Sequence, residues 1–144
     1  MAIRKPLVIV NGEVQQLQPG DSIGEVQLIS ITNGDAAAFV IGEIAYIFGA
    51  GSVKKAKADA LATMEAFYFA TAGIAAAASG FFQSSGILAG LSGLTPGATY
   101  YLSPTTAGAM VTTAPTATGQ FVVRLGKALS ATEFEIRIER PILL

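Results

Sequence analysis

Apolar and charged residues alternate most regularly in the last part of the chain, from 133 to 140. The apolar residues Phe134, Ile136 and Ile138 each stand between two charged residues. Because successive side chains of a β-strand point to opposite faces, this period of two places the apolar residues on one face and the charges on the other. The segment therefore predicts a half-buried antiparallel strand.

Turn signals divide much of the remaining chain into short apolar segments. Asn33-Gly34 and Pro96-Gly97 are strong examples of such signals. The segments between turns are rich in β-branched and aromatic residues, and the strand candidates span 24–32, 39–48, 66–71, 99–102, 110–113 and 120–128. Many short strands at close spacing are typical of an antiparallel β-sandwich or barrel, so the pattern predicts a mainly β protein.

The segment from Val53 to Met64 is the one serious helix candidate. It is rich in alanine and contains neither glycine nor proline, which favours a helix. Lys54, Lys55 and Lys57 lie in its first turns, where positive charges oppose the helix dipole. The pattern therefore predicts one short helix, from Ala58 to Met64. The three lysines also form the only basic cluster, and a solvated surface is a simpler interpretation of them than a phosphate-binding site.

The first 22 residues are typical of an extended arm. Pro6 cannot donate a hydrogen bond to a strand ladder, which favours an edge or the start of a strand. An Asn-Gly pair at 11–12 predicts a tight turn, and the residues after it predict the return strand of a small hairpin. We predict an arm or hairpin at 1–22 and a single β-rich, oligomerising domain at 23–144. The residues of the arm predicted to contact a partner are Pro6, Leu7, Val8, Ile9 and Val10.

Charge is scarce and unevenly placed. Charged residues make up 13% of the chain and hydrophobic residues 51%, whereas a soluble protein typically has about 25% charged residues. No charged residue lies between Glu65 and Arg124, and the net charge of −1 gives no long-range attraction to nucleic acid or an anionic membrane. We therefore predict a subunit that packs against copies of itself, with neither nucleic acid nor membrane as partner. The self-association candidates are Phe67, Phe69, Phe81 and Phe82.

Histidine and cysteine are both absent from the chain. This excludes Ser–His and Cys–His nucleophile systems, cysteine metal sites and the commonest zinc ligands. Ser52 to Lys55 matches the minimal S-x-x-K pattern of some acyl enzymes, but the companion motifs are missing. Arg137 interleaves with the three glutamates of the last strand, which is typical of a solvated or interfacial face. We therefore predict no catalytic residue, no cofactor and no metal site, and a protein that is not an enzyme.

Two stretches resemble small virion proteins and fibre modules of bacteriophages. Residues 4–12, Arg-Lys-Pro-Leu-Val-Ile-Val-Asn-Gly, lead to Gln-Gln-Leu-Gln-Pro-Gly-Asp at 15–21, and this is similar to the openings of phage tail-fibre and head-decoration proteins. The second stretch resembles a recurrent β module at the ends of fibre and capsid-surface proteins. It contains Gly-Leu-Thr-Pro-Gly-Ala-Thr-Tyr-Tyr-Leu-Ser at 93–103, Gly-Gln-Phe-Val-Val-Arg-Leu-Gly-Lys-Ala-Leu-Ser at 119–130 and Arg-Pro-Ile-Leu-Leu at 140–144.

This resemblance implies a trimeric or otherwise symmetric β protein on the surface of a virion, assembled in the host cytoplasm. We expect a capsid decoration (cement) protein that binds the major capsid protein or other virion proteins and stabilises the head. The alternative is a tail-fibre or baseplate subunit involved in host attachment, for which an exposed Tyr100 or Tyr101 in a groove would suggest glycan binding. The short chain favours decoration, because a whole fibre normally needs a shaft.

Overall fold

The computed structural model describes residues 7–10, 13–16 and 27–144, and in these residues the chain forms strands and no helix. The mainly β class predicted from the sequence is therefore confirmed. No helix that could cross a membrane occurs in the described part of the chain. The strands are β1 Leu7–Val10, β2 Glu13–Gln16, β3 Leu28–Asn33, β4 Ile44–Ile47, β5 Ser52–Lys55, β6 Tyr68–Ala70, β7 Ser79–Gln83, β8 Gly86–Ala89, β9 Thr99–Leu102, β10 Met110–Val111, β11 Phe121–Val122, β12 Arg124–Ala128, β13 Glu133–Ile136 and β14 Ile142–Leu143.

Strands β1 and β2 form an antiparallel hairpin. Val10 pairs with Glu13, so two residues join the strands, as the Asn-Gly pair predicts. The predicted turn itself and Pro6 lie outside the described residues. Among those residues, neither strand pairs with any strand other than its hairpin partner.

Strands β3 to β7 close into a five-stranded barrel in the order β3-β5-β4-β6-β7. Strands β3 and β5 pair in parallel, which the expectation of a purely antiparallel fold did not include, and the other neighbours pair antiparallel. The rings of Phe39 and Phe82 meet edge to face inside the barrel at 5.2 Å. This interior is small because the diameter of a barrel grows with the number of its strands, and this barrel has five. The buried residues of this barrel core are Phe39, Ala45, Val53, Ala70, Ile74 and Phe82.

Asn33, at the end of β3, joins the barrel to its loops. Its side chain is fully buried, and its amide nitrogen donates to the carbonyl oxygens of Ala37, Ile74 and Ala75 at 3.0 to 3.2 Å. Its amide oxygen accepts a hydrogen bond from the backbone N–H of Asp35 at 2.8 Å. A buried amide is stable only when its donors and acceptor are paired, and here all of them are.

The second half of the chain contains a five-stranded antiparallel sheet in the order β10-β9-β12-β13-β8. Strand β12 is irregular between Arg124 and Gly126, where its register with β9 shifts. Gly126 has a φ of +150°, and a Cβ atom there would lie 2.0 Å from the carbonyl oxygen of Glu135. Only glycine fits this close approach of two strands.

The strand predicted at 133–140 is confirmed in its first half. Phe134 and Ile136 are buried, as the alternation predicts, but β13 ends at Ile136. Beyond it, Arg137 and Glu139 still donate their backbone N–H groups to carbonyl oxygens of β12. The strand therefore continues as irregular pairing because the bulge in β12 interrupts the ladder.

The larger hydrophobic core lies between the barrel and the sheet. The ring of Phe134 on β13 lies 5.6 Å from that of Phe69 on β6 and 5.8 Å from that of Tyr100 on β9. Ile44 of the barrel and Leu125 of the sheet belong to the same buried cluster. The outer face of one barrel wall is thus covered by the inner face of the sheet, and the two layers share one core.

The helix predicted from Ala58 to Met64 is absent, and this prediction is wrong. The backbone N–H of Ala58 donates to the carbonyl oxygen of Ser103, and its carbonyl oxygen accepts from Phe121. Thr63 ties the loop closed, because its carbonyl oxygen accepts from Lys57 and its hydroxyl donates to the carbonyl oxygen of Lys57. Pairing with distant strands overrides the local helix propensity of the alanines.

Candidate interaction surface

One wall of the barrel, formed by the adjacent strands β3 and β7, exposes large apolar side chains. Leu28 is 56% exposed and Phe81 is 59% exposed, on the adjacent strands β3 and β7. A scatter of single apolar residues is ordinary on a protein surface, whereas contiguous ones mark interaction sites. The further large hydrophobic residues that are at least 40% exposed are Ile29, Val40, Ile47, Phe48, Leu61, Phe67, Ile87, Leu129, Ile142, Leu143 and Leu144.

A mainly apolar groove of about 420 Å³ lies beside this wall. Phe67, Ile138 and Pro141 supply its apolar lining, and Glu139 and Arg140 lie at its charged end. Its size falls in the range of clefts that hold a peptide or small ligand.

A smaller hollow of about 360 Å³ adjoins this groove. Leu28, Ile29 and Tyr68 line it, and Ser84 lines both hollows. The two hollows are therefore parts of one surface, which we call the Ser84 surface.

The start of the open strand β8 lies next to the Ser84 surface. The backbone N–H of Ser84 donates to the carbonyl oxygen of Gln27 at 3.1 Å, and β8 begins two residues later at Gly86. Strand β8 pairs with β13 on one side only, so its outer edge lacks a neighbouring strand in the described residues. Ile87 on this edge strand is 50% exposed.

The four phenylalanines predicted to mediate self-association divide into two pairs. Phe69 and Phe82 are fully buried, in the shared core and the barrel core respectively. A self-association role for these two is therefore not compatible with their positions. Phe67 and Phe81 reach the surface, with Phe67 43% exposed in the groove lining. Phe81 and Phe82 are successive residues of β7 and face opposite sides, but no feature of the sequence indicates which of them faces inward.

Of the arm residues predicted to contact a partner, Leu7, Val8, Ile9 and Val10 form strand β1, and Pro6 lies outside the described residues. Leu7 to Val10 pair with Gln16 to Glu13 across the hairpin. Both faces of β1 are apolar, whereas β2 carries Glu13, Gln15 and Gln16. The arm is therefore a hairpin with one apolar and one largely polar strand.

The basic cluster is engaged within the chain. Lys55 forms an ion pair with Glu43 at 2.8 Å, and the ammonium group of Lys54 lies 3.8 Å from the centre of the Phe48 ring. Lys57 pairs with Asp59 at 2.7 Å. The hydrogen bond from Lys57 is the largest cause of a lowered pKa for Asp59, with the Lys57 charge and the Thr63 hydroxyl acting in the same direction and burial opposing them. These contacts hold the loops of the barrel, which agrees with a structural interpretation of the lysines.

The Ser–Lys pattern is not assembled into a catalytic pair. The hydroxyl of Ser52 donates to the carbonyl oxygen of Phe48, and the ammonium group of Lys55 is held by Glu43. A Ser–Lys mechanism needs the amine within hydrogen-bond reach of the hydroxyl. In this structure each group has a different partner.

Four charged residues of β12, β13 and the segment after β13 form two ion pairs. Arg124 binds Glu139 at 2.7 Å, and Arg137 binds Glu135 at 3.1 Å. Among the described residues, no three acidic, histidine or cysteine side chains are grouped to hold a metal ion. The arrangement can form a solvated or interfacial charged face.

Tyr100 is not available as a platform for sugar stacking. It borders a shallow groove of about 670 Å³, but it is only 6% exposed and its ring packs edge-on against Phe134. Its hydroxyl accepts a hydrogen bond from the backbone N–H of Thr95 at 2.9 Å. Tyr101 is half-buried on the same strand. The groove therefore lacks the exposed aromatic ring that glycan recognition would use.

Sequence reasoning missed the Ser84 surface and the open edge of β8. The edge had a signal, because Gly86 and Gly90 bracket three apolar residues without charge or proline. The Ser84 surface had no signal in the sequence, since Leu28, Tyr68 and Pro141 come from distant parts of it.

No protein-family model, curated protein or solved structure matches this chain.

Proposed function

We propose that this protein is a structural subunit of a bacteriophage particle, a capsid decoration protein that binds the outer capsid surface as a symmetric oligomer, most simply a homotrimer. The observation that carries the proposal is the exposed apolar wall of the barrel, represented by Leu28 and Phe81. Apolar surface of this kind favours association because covering it removes it from water. The resemblance of the chain to phage virion proteins supports the choice of partner.

The mechanism is binding energy summed over many copies. The apolar wall and the Ser84 surface would lie against other subunits, while the charged outer face of the sheet would meet solvent. Each copy needs only modest affinity, because a capsid offers many equivalent sites and linked copies bind with a high effective concentration. Major capsid protein subunits are the proposed partners, and the bridging of neighbouring subunits would stabilise the head.

An antibody against the purified chain tests the proposal on intact particles from cells that carry its gene. We expect gold label on heads in electron micrographs. Label confined to tails would overturn decoration in favour of the tail-fibre or baseplate alternative. Absence of label from particles whose denatured proteins also lack the chain would overturn a virion role altogether.

Deletion of the gene tests the stabilising role directly. Heads that lack the protein should lose their DNA at lower temperature than complete heads, and addition of the purified chain should restore the difference. The matched control is the Lys127→Ser variant, which changes a charged position on the outer face of the sheet and should restore heat resistance as well as the unchanged chain. Equal heat resistance with and without the protein would contradict the stabilising role.

A further inference from the structure

The two edges of the five-stranded sheet are protected to different degrees. Strand β10, at one edge, is only two residues long. Strand β8, at the other, has four residues, and Gly86 to Ala89 include neither a charge nor a proline. Proteins usually blunt an exposed edge with short length, charge or proline, because unpaired backbone groups attract another strand. Strand β8 uses none of these devices, so a strand from elsewhere would fit there.

The N-terminal hairpin has the complementary features. A lone two-stranded hairpin is at best marginally stable in water, and β1 and β2 pair only with each other in the described residues. The residues of β1, Leu7 to Val10, are apolar on both faces, as in a strand at the centre of a sheet. Strand β2 is largely polar, as suits an edge. Strand β1 placed against β8 would be central, and β2 would form a new, solvated edge.

The connection between hairpin and domain permits this pairing. The hairpin ends at Gln16, and the next described residue is Gln27, which is hydrogen-bonded to Ser84 just before β8. The ten residues between them reach up to about 35 Å when extended. A four-residue strand is about 13 Å long. The hairpin of one copy is therefore long enough, with its connection, to reach β8 of an adjacent copy.

We propose that β1 of one copy adds to the open edge of β8 in the next copy, so that the hairpins are exchanged around a closed ring. The occupant is a second copy because, within the described residues of one chain, neither β1 nor β8 has this neighbour. A contact between two different patches of identical subunits runs head to tail and closes into a ring when the rotation permits. The inference rests on the symmetric oligomer of the proposed function and identifies the element that holds it together.

Cross-linking of the full chain tests the exchange. Because the chain has no native cysteine, only the introduced thiols can react with the cross-linker. The variant Ile9→Cys/Ile87→Cys is treated with a short bismaleimide. We expect covalent oligomers on a denaturing gel, with a linked 9–87 peptide pair in the mass spectrum. The control Ile9→Cys/Val111→Cys places the second thiol on the opposite edge, and it should remain one chain in size. A 9–87 link within single chains, or no 9–87 link, would overturn the inference.

Removal of residues 1–18 separates this inference from the proposed function. We expect the shortened chain to shift from the oligomer mass to the mass of one chain while keeping its far-ultraviolet β spectrum. An oligomer that persists while binding to particles is lost would overturn the hairpin exchange and leave the decoration role intact, with the hairpin on a capsid protein instead. A full chain that exchanges hairpins yet labels no particle would overturn only the decoration role.

Discussion

The outer wall of the barrel and the outer face of the sheet are opposite in character. On the barrel, Leu28 and Phe81 expose more than half of their surface. On the sheet, Lys127 and Glu133 occupy the outer face, and Glu135 pairs with Lys127 across β12 and β13. The few charged residues of the chain are therefore unevenly placed in the fold: the outer face of the sheet carries several of them, and the exposed barrel wall at Leu28 and Phe81 is apolar. The outer face of the sheet presents charged side chains to water, whereas the barrel wall leaves apolar side chains exposed to water.

The difference follows from how many faces of each strand are apolar. A sheet strand such as β13 alternates, so its single apolar face packs on the shared core and its charges face out. In β7, Phe82 fills the barrel while its neighbour Phe81 is left exposed on the other face. A strand with two apolar faces is fully buried only when both faces are packed against other residues. At β7 the barrel interior buries one face, and the other face is exposed in the single chain. Under the proposed function, strands with two apolar faces are where contacts between copies would form.

The largest expected effect tests whether the two layers depend on each other. Gly126→Ala would place a Cβ 2.0 Å from the carbonyl oxygen of Glu135 and force β12 and β13 apart. We expect a loss of about 4 kcal/mol in the free energy of unfolding, because this is a backbone clash at a strained φ. Denaturant unfolding followed by tyrosine fluorescence and far-ultraviolet circular dichroism measures it. Both probes should shift together, because the layers share a core.

The matched control for this glycine is Gly119, which has a φ of +86° and open space around its Cβ position. Gly119→Ala should cost about 1 kcal/mol, the strain of the positive φ alone. Equal losses for the two variants would show that the approach of Glu135 does not matter. Separate transitions for the two probes in Gly126→Ala would show that the barrel is stable without the sheet.

The next effect compares two neighbours on β7. Phe82→Ala removes a fully buried ring that meets Phe39 at 5.2 Å, and we expect a loss of about 3–5 kcal/mol from transfer and cavity terms. Phe81→Ala should change the unfolding free energy of the dilute single chain by less than about 0.5 kcal/mol. It should instead lower the concentration-dependent part of the stability, since a surface contact between copies acts by mass action.

Thermal unfolding of both variants at several protein concentrations measures the two contributions. The comparison between covered and uncovered faces would be broken by a Phe81→Ala variant that loses as much stability as Phe82→Ala when dilute. It would also be weakened if the melting temperature of Phe81→Ala depended on concentration as strongly as that of the unchanged chain.

A smaller effect tests how much the buried hydrogen bonds of Asn33 stabilise the barrel. Asn33→Ala leaves the carbonyl oxygens of Ala37, Ile74 and Ala75 without their shared donor, and the N–H of Asp35 without its acceptor. The carbonyl oxygens of Ile74 and Ala75 keep backbone donors, whereas the carbonyl oxygen of Ala37 and the N–H of Asp35 lose the partner that Asn33 supplied. We expect a loss of about 2 kcal/mol, because polar groups deprived of a partner away from water are costly. Thr32→Ala is the control, since its hydroxyl bonds to Ser79 in an exposed position. Equal denaturation midpoints for the two variants would contradict the role of Asn33.

Local patterns in the sequence predicted the hairpin and the half-buried strand β13. Alternation placed Phe134 and Ile136 inward because one face of β13 is charged, and the Asn-Gly pair predicted the pairing of Val10 with Glu13 across the hairpin. The same reasoning failed at Phe81 and Phe82, since an apolar pair carries no signal about which face is inward. Only the closure of the barrel determines that Phe82 fills its interior.

Long-range pairing accounts for the rest of what the sequence did not predict. The parallel contact of β3 with β5 joins residues on either side of β4, and no local pattern encodes it. The loop at Ala58 is held by Ser103 and Phe121, which lie far along the chain, so its helix propensity was misleading. The candidate surface at Ser84 likewise draws on both halves of the chain.

The smallest effect concerns the loop that replaced the predicted helix. In the folded chain the hydrogen bond from Lys57, with help from the Lys57 charge and Thr63, holds the pKa of Asp59 below its ordinary value. A carboxyl with a lowered folded-state pKa stabilises the fold above its unfolded pKa, and the contribution is lost as pH falls through the folded pKa. Asp59→Asn should therefore lower the melting temperature slightly at neutral pH and not in strong acid.

Because Asp59 is exposed and its ion pair with Lys57 is screened by solvent, added salt should shrink the difference in melting temperature at neutral pH. A difference that persists in strong acid would show that Asp59 acts through packing rather than through its charge.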